Sequence, residues 1–556
     1  MAPPLQNRTI QAFMKDVLLD TTLPNAKFTG MRLYLRSFIA HWTICGSPCQ
    51  LPLHYSTTVE VWAKPTCITF SNRARKKCAD ITPLTEDNHN FDISVKRVHV
   101  RKFFTYIVAV SCVLGVLALY SRGDGTHILS TVSSAFGPSR KPLLKDDFIT
   151  AILRQPVEGL VDPEPIYRKC NETKFQEGLV WHCPVMIGGI GNVANMWLNC
   201  MRYAIEAGAT TVILPRLGAR SENDLIDLGG EKRSVELSTL FDVSYFLDEW
   251  KEACPQIRSV VSDSEVPNLN LTATSPRIDP RHVKKFKTRK YLIVDPTGWR
   301  EAFDIWMGKN SVFKTMSAKN PVRVRQNLVL FEWNREVHPL DFVHSFPRLF
   351  QHTIQTRRLA ASVLWHLEKN LSHPVVSDTI LFSSSPPSKV NSLGPDRLTY
   401  SGFMGAHLRV ARDAAIAKWP GYEAQAPFYL AEAKRLNLTT IYLATDAAKH
   451  RDQFRTDAER EGISVIVKED LLDVEELAEL QSLTWDQQAL VDFDVLMYCS
   501  WFSGFVRSSF SWMLALRRGT LPEAGTPTIT DGEEYRDNLS ALVGRHDKIN
   551  PEGLWP

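Results

Sequence analysis

What this chain of 556 residues lacks first is charge of one sign: 65 Lys and Arg stand against 61 Asp and Glu, a formal net charge of +4. On that length no basic field exists to hold a polyanion, which excludes nucleic acid as a partner. Metal-type cysteine spacing is the second absence. Beyond residue 120 lie only Cys170, Cys183, Cys200, Cys254 and Cys499, with no CxxC and no Cys/His pattern for zinc. The third absence is local. Phe103 to Tyr120, FFTYIVAVSCVLGVLALY, is eighteen residues without a charge or a proline. At 1.5 Å per residue this is about 27 Å of helix, enough for a thin bilayer core, and it predicts a transmembrane helix.

The flanks of that segment set its orientation. Lys96, Arg97, Arg101 and Lys102 precede it, and only Arg122 lies close behind. Positive charge stays cytoplasmic, so the expected arrangement is a single-pass type II protein with a cytoplasmic N-terminus and a lumenal C-terminal body. A lumenal body meets oxidising conditions and N-glycosylation. The expected disulfides are Cys170 with Cys183 and Cys200 with Cys254, leaving Cys499 as a buried thiol. Sequons stand at Asn171, Asn270, Asn370, Asn437 and Asn538.

The length allows two or three domains. Residues 1–102 carry prolines and scattered basic residues without a period, and read as a partly disordered cytoplasmic tail. Residues 121–160 begin with a Gly/Ser/Pro-rich stretch and read as a stem, so the body is expected to start near residue 160. In it PVMIGGIG (184–191) is an apolar run ending in glycines, NVANMWLNCMRYAIEAG (192–208) has helical spacing with a glycine stop, and TTVILP (210–215) reads as a buried strand. This predicts a βαβ unit on a parallel sheet. A second series follows an expected helix at 357–370 and a Ser/Pro loop at 383–388. It comprises strand GFMGAHLRV, helix 428–436, strands 440–446 and 463–469, and helix 486–500. The expectation is an α/β protein of two Rossmann-like domains, 161–355 and 356–545, facing across a cleft.

Ligands of open α/β sheets sit outside the carboxyl ends of strands, often against helix N-termini. Three exits therefore matter: GGIGN, AHLRVARD and LATDA. GGIGN (188–192) allows close backbone approach through Gly189 and Gly191, with Asn192 as helix cap or ligand contact, although such glycines also serve turn geometry alone. AHLRVARD places Arg409, a five-donor fork suited to phosphate oxygens, near His407 and Asp413. The plainer alternative there is an Arg409–Asp413 ion pair that closes the strand, with His407 a satisfied core residue. In VDFDVLMYCSWFSGFVRSSFSWMLALRR (491–518), Ser508, Ser509 and Phe510 open a helix after a flexible turn, where hydroxyls and free N–H groups suit an anion. A capping serine followed by a core aromatic is the alternative.

In order and spacing over residues 180–520, these motifs resemble the GDP-fucose protein O-fucosyltransferases and their plant and fungal relatives. GGIGN with TTVILP is similar to the family's N-terminal motif and following strand, LFDVSYFLDEW (240–250) to its next landmark, AHLRVARD to its H-x-R motif, IYLATD to the strand after it, and residues 489–511 to its C-terminal motif. The resemblance implies a GT-B arrangement and an inverting transfer of fucose from GDP-fucose to a protein Ser/Thr or glycan acceptor. It implies no cofactor, and a Golgi or endoplasmic reticulum location matching the type II anchor. It places Arg409 on the β-phosphate and His407 in support of the diphosphate. Asp492 falls near guanine, Ser508, Ser509 and Phe510 around phosphates and fucose, Asn192 on the acceptor-side wall, and Asp413 at the acidic position after the arginine. Some relatives carry an arginine or glutamate in the N-terminal motif. Here Gly189 and residues 193–196 supply neither, so no general base is carried over. Two rivals remain: a metal-dependent transferase with Asp492 and Asp494 as a DxD, and a non-catalytic glycan- or partner-binding protein that keeps the fold. Residues 216–330 carry no motif that identifies an acceptor.

Overall fold

The computed structural model describes residues 143–556 apart from 222–223, 284–291, 383–400, 522–523, 531–533 and 546–550. All of these fall in the compact unit Ser134–Pro556. The tail, the apolar segment 103–120, the start of the stem and the Ser/Pro loop lie outside the described residues. Among the described residues no helix is long and apolar enough to cross a membrane.

Two sheets organise the chain. The first comprises β1 (Gln176–His182), β2 (Ala209–Ile213), β3 (Arg258–Val260), β4 (Arg277–Ile278) and β5 (Val322–Gln326), all parallel, in the order β3-β2-β1-β5-β4. The second comprises β6 (Met404–His407), β7 (Thr440–Ala444), β8 (Ser464–Ile466), β9 (Trp501–Phe505), β10 (Thr528–Thr530), β11 (Glu534–Arg536) and β12 (Ser540–Val543). Its order is β8-β7-β6-β9-β12-β11-β10, the first five parallel and the last two antiparallel. Every residue of β6, β7 and β9 is buried. This is why these strands read as continuous apolar runs rather than as alternations: helices cover both faces of a parallel sheet.

In each sheet the chain runs outward from its first strand and then returns to that strand's other side, β5 beside β1 and β9 beside β6. These reversals open a crevice at the carboxyl ends of β1 and β6. The predicted βαβ unit exists with its first strand displaced. The strand is QEGLVWH, with Leu179, Val180 and Trp181 buried, whereas 184–189 leads into the helix, which takes in Ile190 and Gly191. An apolar run was there, but the glycines that end it belong to a helix entry.

The helices that shape the crevice are α1 (Lys145–Arg154), α2 (Ile190–Ala207), α3 (Ile354–Leu371), α4 (Tyr422–Arg435), α5 (Trp485–Leu496) and α6 (Ser509–Gly519). Nearly all of α2 is buried, and Gly208 ends it in the left-handed conformation at φ 70°. Its polar side chains serve as stitches. Asn195 Oδ1 accepts from the Trp555 backbone N–H at 2.9 Å, Asn199 Nδ2 donates to Leu330 O at 3.0 Å, and Arg202 pairs with Glu206 at 2.7 Å. Packing begins earlier than residue 160: α1 buries Phe148, Ile149, Ala151 and Ile152, and its Lys145 pairs with Glu476 at 2.7 Å.

The disulfide expectation is corrected. The bonds are Cys170–Cys254 and Cys183–Cys200, and Cys499 is a buried free thiol. Pairing neighbours in sequence ignored the crossover, which carries α2 back past the end of β1 and sets Cys200 against Cys183. Cys170 meets Cys254 because helices Glu164–Glu172 and Val243–Ala253 pack together.

Candidate functional site

A cavity of about 500 Å³ fills the crevice. The turn from β1 into α2 contributes Gly189, Gly191 and Asn192, and the exit of β6 contributes His407, Arg409 and Asp413. Asp492 comes from α5, and Ser508, Ser509 and Phe510 from the turn of β9 into α6. All ten residues singled out in the sequence thus line one cavity.

Two glycines hold the turn. Gly188 has φ +108°, open to glycine at little strain, and faces the Asn192 amide. Gly191 has a different reason: a Cβ there would strike the backbone of Ser509 and Phe510. The first turns of α2 and α6 are in backbone contact, so Gly191 serves helix packing as well as the cavity wall.

Arg409 is pinned at its backbone. Its N–H donates to Gln425 Oε1 and its carbonyl accepts from Gln425 Nε2, each at 3.0 Å, from α4. One guanidinium nitrogen, Nη2, pairs with Asp413, while Nη1 is buried with no hydrogen-bond acceptor. The expected strand-closing ion pair is therefore present, and it uses only part of the fork. Burial, with the Arg409 charge beside it, lowers the His407 imidazole to about 3, so the ring is neutral near pH 7. Its Nδ1 meets Ser511 Oγ at 2.8 Å, and its ring lies 4.4 Å from that of Phe510.

Ser508 caps α6, its hydroxyl accepting from the Ser511 N–H, and the helix presents its first turn to the cavity. That terminus carries partial positive charge and free N–H donors. Asp492 is buried, accepting from the Tyr442 hydroxyl at 2.7 Å and from Lys468 Nζ at 2.6 Å. Asp494 turns to His352 Nδ1 at 2.7 Å. Two positions apart on one helix, the carboxylates face different partners and do not converge on one ion. The cluster among the described residues that has ligand spacing is His366, Asp473 and Glu476, and there Lys145 Nζ lies 3.1, 3.0 and 2.7 Å from the three. An ammonium already sits at its centre.

Sequence reasoning missed Arg220 and Trp485, which also line the cavity, as does Asp446 of the LATDA exit, to which it gave no role. Arg220 lies on the loop after β2, a fourth strand exit that the carboxyl-end rule would have flagged. Its guanidinium stacks over the Trp485 ring at 4.9 Å and lies 3.7 Å from Asp413 and 3.8 Å from Asp486. Burial raises the Asp486 carboxyl to about 6 against the pull of Arg220, and burial also raises that of Asp446.

No protein-family model matches the chain, and no curated protein matches it. Among solved structures it is similar to POFUT1 in complex with GDP-fucose, at 12% identity over 67% of this chain and 99% of that one, with a TM-score of 0.38. It is similar to POFUT1 in complex with GDP at 12% identity, over 62% and 96%, with a TM-score of 0.36. An arginine-to-lysine mutant of Arabidopsis thaliana FUT1 in complex with GDP is similar at 11% identity, over 68% and 78%, with a TM-score of 0.31.

Proposed function

We propose that the chain is an inverting, metal-independent glycosyltransferase that moves fucose from GDP-fucose to a protein Ser/Thr or glycan hydroxyl. The observation that carries this reading is the convergence, on one cavity at both sheet reversals, of the β1–α2 turn, the Arg409 fork and the α6 N-terminus. In the reaction the bond from the anomeric carbon to the diphosphate oxygen breaks, and its electron pair stays on the β-phosphate. The acceptor oxygen attacks the opposite face and releases its proton. Negative charge grows on the leaving diphosphate, where Arg409 and the α6 N-terminus supply donors fixed in advance; one such donor is worth roughly 3 to 4 kcal/mol. Asp492 and the Lys468 beside it form the wall assigned to the nucleobase.

On this reading residues 103–120 anchor the protein in a Golgi or endoplasmic reticulum membrane with the body lumenal. The two disulfides and the surface exposure of Asn171, Asn270, Asn370, Asn437 and Asn538 fit that setting. Thermal unfolding with nucleotide and a fucose-transfer assay test the proposal together. GDP at about 100 times its dissociation constant is expected to stabilise the chain by about 2.7 kcal/mol, UDP much less, and transfer is expected to persist in excess EDTA. Equal stabilisation by both nucleotides removes the guanine assignment. GDP binding without transfer favours the binding-protein alternative, and EDTA inhibition reversed by Mn²⁺ favours the metal-dependent one.

A further inference from the structure

Arg220 belongs to the first sheet's loops and Arg409 to the second sheet's first exit, yet both guanidiniums reach one carboxylate, Asp413. Three carboxylates, those of Asp413, Asp446 and Asp486, stand near the pair. Even so, the Nε and Nη1 of Arg220 and the Nη1 of Arg409 are buried without a hydrogen-bond partner. The Arg220 side chain is only 6% exposed. Leaving buried charged donors without a hydrogen bond is costly, and folds seldom carry several together without a use. Trp485 holds the arrangement, stacked 4.9 Å from the Arg220 guanidinium and 5.9 Å from that of Arg409, with its indole bonded to Asp446. Gly189 runs beside the Arg220 Nη2, so the β1–α2 turn passes the same spot.

We infer that Arg220 is a second anion-binding guanidinium of this cavity, and that Arg220 and Arg409 together seat a diphosphate across the two halves of the fold. The inference rests on the proposed nucleotide-sugar reading for the identity of the ligand, but its chemistry requires only two linked phosphates. Asp413 lies against both cations and orients them. A diphosphate, with more acceptor oxygens than one carboxylate, engages the N–H groups that Asp413 leaves unmatched.

The test uses the full-length chain, with GDP and inorganic pyrophosphate titrated separately by calorimetry and with thermal unfolding recorded without ligand. Arg220→Ala is expected to weaken both ligands at least tenfold, and Arg220→Lys to recover part of the loss, since a lysine restores charge without the fork. Arg220→Gln keeps the bulk over Trp485 and decides the matter if the alanine variant does not fold. Unchanged affinity for both ligands in a folded variant overturns the clamp and leaves Arg220 a structural counter-ion. A native chain that binds pyrophosphate but not GDP, with the binding lost in Arg220→Ala, keeps the clamp and overturns the guanine-nucleotide reading instead. Should the native chain bind GDP while ignoring pyrophosphate, and should Arg220→Ala bind GDP equally well, the nucleotide reading stands and this inference falls.

Discussion

At the scale of single residues, Arg409 separates catalysis from architecture. Its ion pair with Asp413 could hold the β6 exit in place, and its unmatched Nη1 could meet a developing oxyanion. Arg409→Lys keeps the charge and loses the fork. If Arg409 serves the transition state, both Arg409→Lys and Arg409→Ala lower kcat by about 100-fold or more while the protein stays folded. If it serves the strand alone, Asp413→Asn harms stability as much as Arg409→Ala does, and activity follows the folded fraction. Steady-state kinetics beside thermal melts of the three variants distinguish these outcomes. Gly191 supplies a second residue-scale expectation. Because a Cβ there meets α6 backbone rather than a flexible side chain, Gly191→Ala has to push α2 and α6 apart. The expected cost is about 1 to 3 kcal/mol in urea unfolding, with weaker GDP binding than Gly189→Ala, whose Cβ would meet only the end of Arg220. Equal effects at the two glycines would refute the helix-contact explanation.

Among the elements, legibility followed burial and periodicity. β6, β7 and α2 were readable because parallel strands and a doubly packed helix are apolar along their whole length, whereas β9 was missed because Gly504 and Phe505 read as the start of a flexible turn. β1 was misplaced because Gln176 and Glu177 at its start look like surface, while the apolar 184–191 run imitates a strand and leads into α2. The cavity residues at the β6 exit were legible through strand-exit chemistry, and Ser508, Ser509 and Phe510 through the helix they open. Arg220 was not read, although the carboxyl-end rule covers its loop, because RLGAR by itself does not distinguish a guanidinium that stacks on a distant tryptophan from one in solvent. The disulfides were lost for a similar reason: pairing depends on the crossover, not on spacing. That crossover gives an element-scale expectation. The Cys183–Cys200 bond ties the β1 exit to the middle of α2, the helix whose first turn forms one cavity wall. Its loop is short and Cys170–Cys254 closes a longer one, so loop-closure entropy makes the longer bond more stabilising overall. Cys183→Ala with Cys200→Ala is expected to lower stability by about 2 to 4 kcal/mol and to weaken GDP binding in the still-folded protein. The Cys170→Ala, Cys254→Ala pair is expected to lower stability alone. Ligand titration of both double variants at a temperature where each is folded checks this contrast.

Across the whole molecule, the buried ionisable groups set how stability responds to acid. Burial lowers four imidazoles, His182 to about 4, His338 to about 2, His407 to about 3, and His344 below its ordinary value. As pH falls below 6.5, the unfolded chain takes protons on these that the folded chain refuses, so each lowers stability on acidification. Buried carboxyls act in the opposite sense, those of Asp446, Asp492 and Asp537 among them. Burial raises Glu332 to about 7 and Asp486 to about 6, so the folded chain holds protons there that the unfolded chain accepts only nearer pH 4. The slope of stability between pH 6 and 5 is the difference between these two sets, and single substitutions separate them. His338 is the cleanest probe, because its ring packs among Trp333, Phe342 and Trp555, and its Nε2 has no hydrogen-bond partner. His338→Phe removes one proton that only the unfolded chain takes up, so stability should fall less on acidification than in the native protein, by about 1.4 kcal/mol per pH unit. Glu332→Gln removes one that the folded chain holds, so stability should fall more steeply than in the native protein by a similar amount. Urea unfolding at pH 7, 6 and 5 measures both slopes. A His338→Phe or Glu332→Gln variant with the native slope would show that the substituted group keeps ordinary solvation in the folded chain.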